Sequence, residues 1–217
     1  MGSHRSSRSE RSFRRKEEKR SGQVILIVCE GGKTEPAYFN GLCCTWRLSQ
    51  VHVAGKMCGS APVSVVDHAI MLRDKRRREA KRGRLLTYDE VLCVLDHEGA
   101  NRHPTLSEAL AKAHDKGFQV ALSVPCFEFW YLLHFKYTTR RFAGYADVVS
   151  ELRQYIPHYD KSKEFLSELV PRLEEALKNA EMVRKDNETT QSEWPATDVD
   201  KLVQVLMSMR RKSAGLP

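Results

Sequence analysis

The chain has 217 residues, of which 41% are hydrophobic and 29% are charged, and its formal net charge is +8. This is the composition of a folded globular protein with one sizeable core. The longest apolar run, residues 24–29, is too short to cross a bilayer, and the first twenty residues are polar and arginine-rich, unlike a secretory signal. These features argue against an integral membrane protein and against secretion, so we expect a cytoplasmic protein with no membrane partner.

The basic charge is concentrated in two tracts. Residues 1–20 contain eight Lys or Arg against three Glu, a net of +5, and residues 71–84 contain eight against two acids, a net of +6. Tracts of this kind predict a polyanionic partner such as RNA or DNA. Residues 1–21 have Phe13 as their only large apolar side chain and are predicted to be a disordered arm, for which a solvated tail without a partner is the alternative interpretation.

Between residues 22 and 125, short apolar strands alternate with helical stretches. The predicted elements are, in chain order, a strand at 24–29, a helix from Pro36 to about Trp46, a short strand at 51–54, a helix at 63–82, a strand at 90–95, a helix at 105–116 and a strand at 118–124. Strands and helices that alternate over short connections are typical of an α/β sheet with parallel strands.

After Pro125 the pattern becomes helical, with an aromatic-rich helix at 127–135 and further helical stretches at about 145–155, 161–186 and 197–212. We therefore predict an α/β fold whose mostly parallel, Rossmann-like sheet is flanked by helices, with a C-terminal helical extension. The predicted organisation is a disordered basic arm (1–21), an α/β core (22–143) and a C-terminal helical region packed on that core (144–217).

The six cysteines do not resemble a disulfide framework or a zinc site. No two of them form a Cys-x-x-Cys pair, and several lie in or beside apolar segments. We expect buried free thiols in a reducing compartment. The residues are Cys29, Cys43, Cys44, Cys58, Cys93 and Cys126.

Three acidic residues directly follow two of the buried strands. Glu30 follows the strand at 24–29, and Asp96 and Glu98 follow the strand at 90–95. The carboxyl ends of parallel strands meet at one end of a sheet, so these carboxylates are expected to converge. Clustered carboxylates repel one another unless a cation compensates them, and oxygen ligands favour Mg²⁺ or Mn²⁺. The pattern predicts a divalent metal site at Glu30, Asp96 and Glu98.

Each of these residues has a simpler interpretation when it is taken alone. A single acid after a strand is more often a helix cap or a turn residue, so the metal prediction depends on all three occurring together. Glu35 is either a metal ligand or an acid that favours the positive end of the following helix. Lys33 either contacts a substrate phosphate or balances the acids. His97 either touches that phosphate or points outward.

Four segments carry a resemblance to known proteins: the basic N-terminal arm, residues 27–39 (IVCEGGKTEPAYF), residues 96–98 and residues 123–135 (SVPCFEFWYLLHF). A strand that ends in Glu-Gly, with a second that ends in acid-x-acid, resembles the Toprim domain of topoisomerases, primases and overcoming-lysogenization-defect nucleases. More narrowly, the chain resembles the RloB family, the second component of the abortive-infection system AbiL. The acid-x-acid element is Asp-x-Glu here, where Asp-x-Asp is usual, and Val124 stands where Asn is expected.

The resemblance implies a Toprim-type, metal-dependent endonuclease in a prokaryotic antiviral defence system. It also implies a partner ATPase of the AAA/ABC type (RloA-like), for which the helices after Gly144 are the docking candidates. The chain has no phosphate-binding loop of its own. The implied catalytic residues are Glu30, Asp96 and Glu98, with Glu35 and Glu128 positioning a second ion. RNA, tRNA included, and DNA remain open as substrates.

Glu128 and His134 lie on the aromatic-rich helix at 127–135, which is expected to pack into the core. A charged Glu128 is costly there unless it meets a partner or a metal ion, and the resemblance suggests a second metal ligand. His134 is more often a satisfied buried histidine than a catalytic group.

The second basic tract, together with Lys33, is predicted to hold the phosphate backbone of the nucleic acid, which makes binding salt-sensitive and little dependent on sequence. Two other functions remain open: a non-catalytic nucleic-acid-binding or regulatory subunit, and a nucleotidyl transferase or primase-like enzyme that uses the same acids. The tract's predicted binding residues are Lys75, Arg76, Arg77, Arg78, Lys81 and Arg82.

Overall fold

The computed structural model describes residues 22–55, 61–98 and 103–214. The predicted disordered arm, Cys58 and residues 99–102 lie outside the described residues. The cysteines within them are free thiols, of which Cys29, Cys43, Cys93 and Cys126 are buried as predicted and Cys44 is exposed, contrary to the prediction.

Five strands form one sheet in the order β2–β1–β3–β4–β5. The first four strands are parallel, and β5 is antiparallel to β4. This confirms the predicted α/β fold with a mostly parallel sheet flanked by helices. The strands are β1 Ile25–Cys29, β2 Val51–Ala54, β3 Glu90–Asp96, β4 Gln119–Val124 and β5 Ala196–Thr197.

Eight α-helices connect and cover these strands in the described part of the chain, and none of them is long and apolar enough to cross a membrane. A short 3₁₀ turn, Val170–Arg172, lies between α6 and α7. The helices are α1 Thr34–Trp46, α2 Pro62–Lys81, α3 Leu106–Asp115, α4 Glu128–Leu133, α5 Tyr145–Leu152, α6 Leu166–Leu169, α7 Leu173–Thr190 and α8 Val199–Ala214.

The sheet is buried on both faces, which explains the continuous apolar run of β1. Ile25 and Ile27 pack into a cluster built with α1, α4, α5, α7 and α8. The alternate residues Leu26 and Val28 pack into a second cluster with α2 and α3. The larger cluster contains the aromatic residues of α4, so the C-terminal helices share a core with the sheet.

Two predictions about the C-terminal region are wrong in detail. The helix predicted at 161–186 is interrupted, because Pro171 has no N–H to continue it; α6 ends at Leu169 and α7 runs from Leu173 to Thr190. Strand β5 was not predicted, since two residues are too few to carry a period-2 pattern. It pairs with β4 through Ser123 and Thr197, and α8 begins only after it.

The two ends of the parallel strands give the molecule two distinct surfaces. We call the end with Cys29, Asp96 and Val124 the carboxyl end, and the end with Ile25 and Glu90 the amino end. A crossover helix between parallel strands returns from one end to the other. Helix α2 therefore begins at the carboxyl end and finishes, with its basic half, at the amino end.

Candidate functional site

Glu30 and Asp96 lie side by side at the carboxyl end, on neighbouring strands. The Glu30 amide donates to the Val94 carbonyl at 3.1 Å, and the Asp96 amide donates to Glu30 Oε2 at 3.1 Å. Glu30 is buried, and Asp96 Oδ1 is buried without a hydrogen-bond partner among the described residues. A buried carboxylate oxygen without a partner is costly unless it is protonated or meets a cation.

Glu35 joins these acids from the first turn of α1. Its Oε1 accepts a hydrogen bond from the Gly31 amide at 3.2 Å. A Cβ atom at position 31 would collide with the Glu35 carboxylate, so the side chain can fold back over this loop only because residue 31 is glycine. The loop after β1 therefore places a second buried carboxylate near Asp96, whose pKa is raised by both Glu30 and Glu35.

Glu128 completes the group from the start of α4, directly after β4. It is 2% exposed, and its Oε1 accepts a hydrogen bond from the Tyr159 hydroxyl at 2.9 Å. Burial and the Glu128 charge raise the pKa of Tyr159, so its hydroxyl stays protonated and donates. The Lys161 ammonium lies 3.7 Å from the same Glu128 oxygen.

Electrostatics link these residues into one group, which we call the acidic cluster: Glu30, Glu35, Asp96 and Glu128. Burial raises the pKa of Asp96 well above its ordinary value, and the charges of the other three members raise it further. Burial also raises the pKa of Glu35, with a contribution from Glu128. The protein therefore concentrates carboxyl groups where little water reaches them, which is common at functional sites.

Lys161 is the cation that faces the acidic cluster in the described structure. Burial lowers the pKa of its ammonium, but the charges of Glu128, Glu35 and Asp96 outweigh burial and the pKa is raised. The ammonium also lies 3.8 Å from the centre of the Tyr145 ring. Sequence reasoning missed Lys161 and Tyr159, because they lie in an irregular polar segment with no periodic pattern.

Glu98 does not join the acidic cluster in this structure. It is exposed, has a φ of 60°, and its amide donates to the Pro125 carbonyl at 2.9 Å. A non-glycine residue in this conformation is strained and is held by its surroundings. Across the described ranges, no three His, Cys, Asp or Glu side chains are grouped so that they could hold a metal ion.

Two histidines predicted near the site are packed against aromatic rings. The His97 ring lies 5.6 Å from that of Trp194, and its Nδ1 is buried without a partner among the described residues. His134 is 1% exposed, and its Nδ1 is 2.9 Å from the Trp130 carbonyl oxygen. Burial lowers the pKa of His134 to about 4, so it is a neutral core residue at physiological pH.

Of the predicted nucleic-acid-binding residues, Lys33 alone lies beside the acidic cluster, exposed in the loop before α1. The others lie on or just after the second half of α2, at the amino end. All of these are exposed except Arg76, which is half-buried and donates from Nε to the Leu86 carbonyl at 2.6 Å. The exposed residues are Lys75, Arg77, Arg78, Lys81 and Arg82.

Comparison with known proteins identifies the family of this chain. A family model described as RloB-like protein matches residues 25–206, which include the whole sheet and the acidic cluster. Searches of curated proteins and of solved structures gave no match. Because the family model covers well over half of the chain, this protein belongs to the RloB-like family.

Proposed function

We propose that this protein is a Toprim-type, metal-dependent endonuclease that hydrolyses phosphodiester bonds of RNA, tRNA included, or of DNA. The observation that carries the proposal is the unpartnered, buried Asp96 Oδ1 among the carboxylates of Glu30, Glu35 and Glu128. Protonation of Asp96 would relieve the repulsion within the acidic cluster when no metal is bound. A divalent cation, in contrast, would compensate the charge and use the oxygen that has no partner.

The donor set fits Mg²⁺ or Mn²⁺ in its chemistry, because it consists of carboxylate oxygens. Glu30 and Asp96 would hold the ion, with Glu98 as a third ligand and Glu128 and Glu35 available for a second ion. The acids of the described residues are not yet grouped for metal binding, so side chains must move on binding. Among these proposed ligands, Glu98 has the exposed side chain that is least restrained by packing.

Side chains near the acidic cluster would perform the other parts of the reaction. A bound divalent ion supplies polarisation of the phosphate and activation of water. Tyr159 orients the Glu128 carboxylate through its hydroxyl. The ammonium of Lys161, which already faces the cluster, would stabilise negative charge on the phosphate, and the exposed Lys33 would meet the backbone at the mouth of the site.

Membership of the RloB-like family supports a cellular role for this activity. We propose that the nuclease is the effector of a prokaryotic antiviral, abortive-infection system, acting in the cytoplasm with an AAA/ABC-type ATPase. The ATPase would sense infection and control the nuclease. The helices that follow Gly144 are the candidates for docking it.

The proposal is tested with cleavage assays on labelled tRNA, single-stranded RNA and plasmid DNA, in Mg²⁺, Mn²⁺ or EDTA, with and without the ATPase. Glu30→Gln preserves shape and removes one charge from the acidic cluster. Glu174→Gln, an exposed acid in the first turn of α7, is the matched control. We expect metal-dependent cleavage that is lost in Glu30→Gln and kept in Glu174→Gln. Cleavage that is insensitive to EDTA, or equal in both variants, contradicts the proposal.

One observation favours a second candidate, a non-catalytic nucleic-acid-binding or regulatory subunit. The basic half of α2 is at the opposite end of the sheet from the acidic cluster, as in a protein that binds nucleic acid without cutting it. This alternative predicts no binding of Mn²⁺ by calorimetry in wild type. It also predicts unchanged function after Asp96→Ala.

A further inference from the structure

A groove with a volume of about 1340 Å³ opens at the amino end of the sheet. Its walls come from the residues before and at the start of β1 and β2, from the second half of α2 with the loop after it, and from the end of α8. The charged residues in its lining are all basic: Arg76, Arg84 and Lys212, with His52 beside them. The groove is therefore separate from the acidic cluster.

Basic segments from distant parts of the chain converge on this groove. Part of the tract at 71–84, with its net charge of +6, forms one wall, and Lys212 reaches the groove from the last turn of α8. These segments are far apart in the sequence, so it is the fold that brings their basic side chains together at the groove.

The acids at the amino end are largely engaged within the protein. Glu79 is 3.0 Å from Arg82 and 3.5 Å from Arg84, so it neutralises part of the tract. The Asp89 carboxylate accepts the Val24 amide at 2.9 Å. The basic side chains of this end therefore remain in excess over the acids.

The groove also offers ordered side chains and apolar surface. Arg76 is fixed by its bond to the Leu86 carbonyl and lies 5.1 Å from the Tyr88 ring, against which His52 also packs at 5.5 Å. Leu85 and Leu86 are 46% and 48% exposed on the rim. Positive charge for phosphates beside apolar surface for bases and sugars is the combination that single-stranded nucleic acid requires.

We propose that this groove is an anchoring site for the backbone of a nucleic-acid strand, separate from the acidic cluster. A flat membrane surface suits a convex basic face better than a concave one, and the groove is concave. Seven residues of β3 separate the two ends, or about 20 Å at about 3.3 Å per residue. A strand that reaches both sites must therefore cover at least about 20 Å.

The anchoring role rests on the proposed nuclease function only in assuming that one molecule occupies both sites. Binding to the groove itself needs neither metal nor cleavage. Measurements in EDTA therefore test the groove independently of the nuclease, and a failure of one proposal does not affect the other.

The experiment measures fluorescence anisotropy of labelled 6- and 30-nucleotide RNA and DNA strands with the full chain in EDTA. Arg84→Glu with Lys212→Glu reverses two exposed charges in the groove, and Lys178→Glu with Lys185→Glu on α7 makes the same charge change outside it. We expect the groove variant to bind the 30-nucleotide strands about tenfold or more weakly and with a shallower salt dependence. The α7 variant should stay within about twofold of wild type, because distant exposed charges are screened.

Thermal melts that match wild type establish that both variants are folded. Equal weakening in the two double variants, or none in either, overturns the groove as the anchor, as does the absence of strand binding by wild type. Binding to phosphatidylserine vesicles in preference to RNA and DNA, lost in the groove variant, also overturns it and assigns the surface to a membrane.

Discussion

At the carboxyl end of the sheet, the largely buried carboxylates of the acidic cluster face the Lys161 ammonium, whereas at the amino end many of the charged groups are exposed arginines and lysines. Buried charges interact strongly and need specific partners, while exposed charges are screened by water and salt. A single substitution is therefore expected to have a large effect at the carboxyl end, whereas at the amino end the effect is expected to be divided among several residues. Three further experiments test this difference between the two ends of the sheet.

The largest expected effect is that of Asp96→Asn. Removing one charge from the acidic cluster should lower metal-dependent cleavage by about a hundredfold or more, because a metal-centred interaction is worth several kcal/mol. In EDTA the same variant should melt at a higher temperature than wild type. A gain of about 1 kcal/mol would raise Tm by about 2–4 °C in a chain of this size.

The sign of the stability effect follows from the pKa of Asp96, which is raised in the folded protein. The unfolded chain ionises Asp96 at its ordinary pKa, so metal-free stability from this group is full below that value. It falls as the pH rises toward the raised pKa of the folded state. Asp115→Asn, at an exposed acid at the end of α3, is the control and should change neither quantity. A lower Tm of Asp96→Asn in EDTA would mean that the acidic cluster is stabilising without metal.

The second test measures how burial of a single titratable side chain, His134, changes the stability of the protein with pH. His134 has a folded pKa of about 4 against an ordinary value of 6.5, so the unfolded chain binds the extra proton first as the pH falls. Stability from this group is present above pH 6.5 and is lost as the pH falls toward 4, by at most about 3 kcal/mol.

Chemical denaturation of wild type and His134→Phe between pH 4 and 7 measures this loss as a difference, which removes the opposing contribution of Asp96. His134→Phe should lack the loss of stability at low pH that His134 causes in wild type. His114→Phe, at a histidine whose side chain is 92% exposed, should show the same loss as wild type. Parallel pH curves for wild type and His134→Phe would contradict the assignment of His134 as a neutral core residue.

The smallest expected effect is that of Gly31→Ala. The new Cβ displaces the Glu35 carboxylate and removes its bond to the residue 31 amide. Because the carboxylate ends a flexible side chain, we expect stability to change by less than about 1 kcal/mol and cleavage to fall several-fold. Gly144→Ala is the control, since a Cβ at Gly144 meets nothing within 4 Å and the backbone there is extended. Equal cleavage by the two variants would remove Glu35 from the site.

The sequence predicts the position of those site residues that lie at the ends of regular strands. Apolar runs mark where β1 and β3 end, and parallel strands bring those ends together, so the proximity of Glu30 and Asp96 follows from the pattern. The basic tract was equally visible in the sequence. Its position at the amino end depends on the direction of the crossover helix α2, which composition does not predict.

The contributions from irregular segments could not be predicted. Lys161 and Tyr159 reach Glu128 from a polar segment without periodicity, so nothing in the residues beside them indicates which core position they meet. Glu98 follows the predicted acid-x-acid spacing, yet its backbone turns at a positive φ, and its side chain is exposed. Strand β5 is too short for any pattern, and only its pairing with β4 identifies it.

Strand β5 has a consequence for the order in which the protein is made. Ser123 on β4 meets Thr197 on β5 across 74 positions of sequence, and α4, which carries Glu128, contacts both β5 and α7. During synthesis on the ribosome, the outer edge of β4 stays unpaired until residue 197 has emerged. An unpaired edge strand is a site of aggregation, so this interval is when a chaperone is most useful. Because α4, which carries Glu128, also packs against these late elements, a nascent chain would complete the acidic cluster only after residue 197 has emerged.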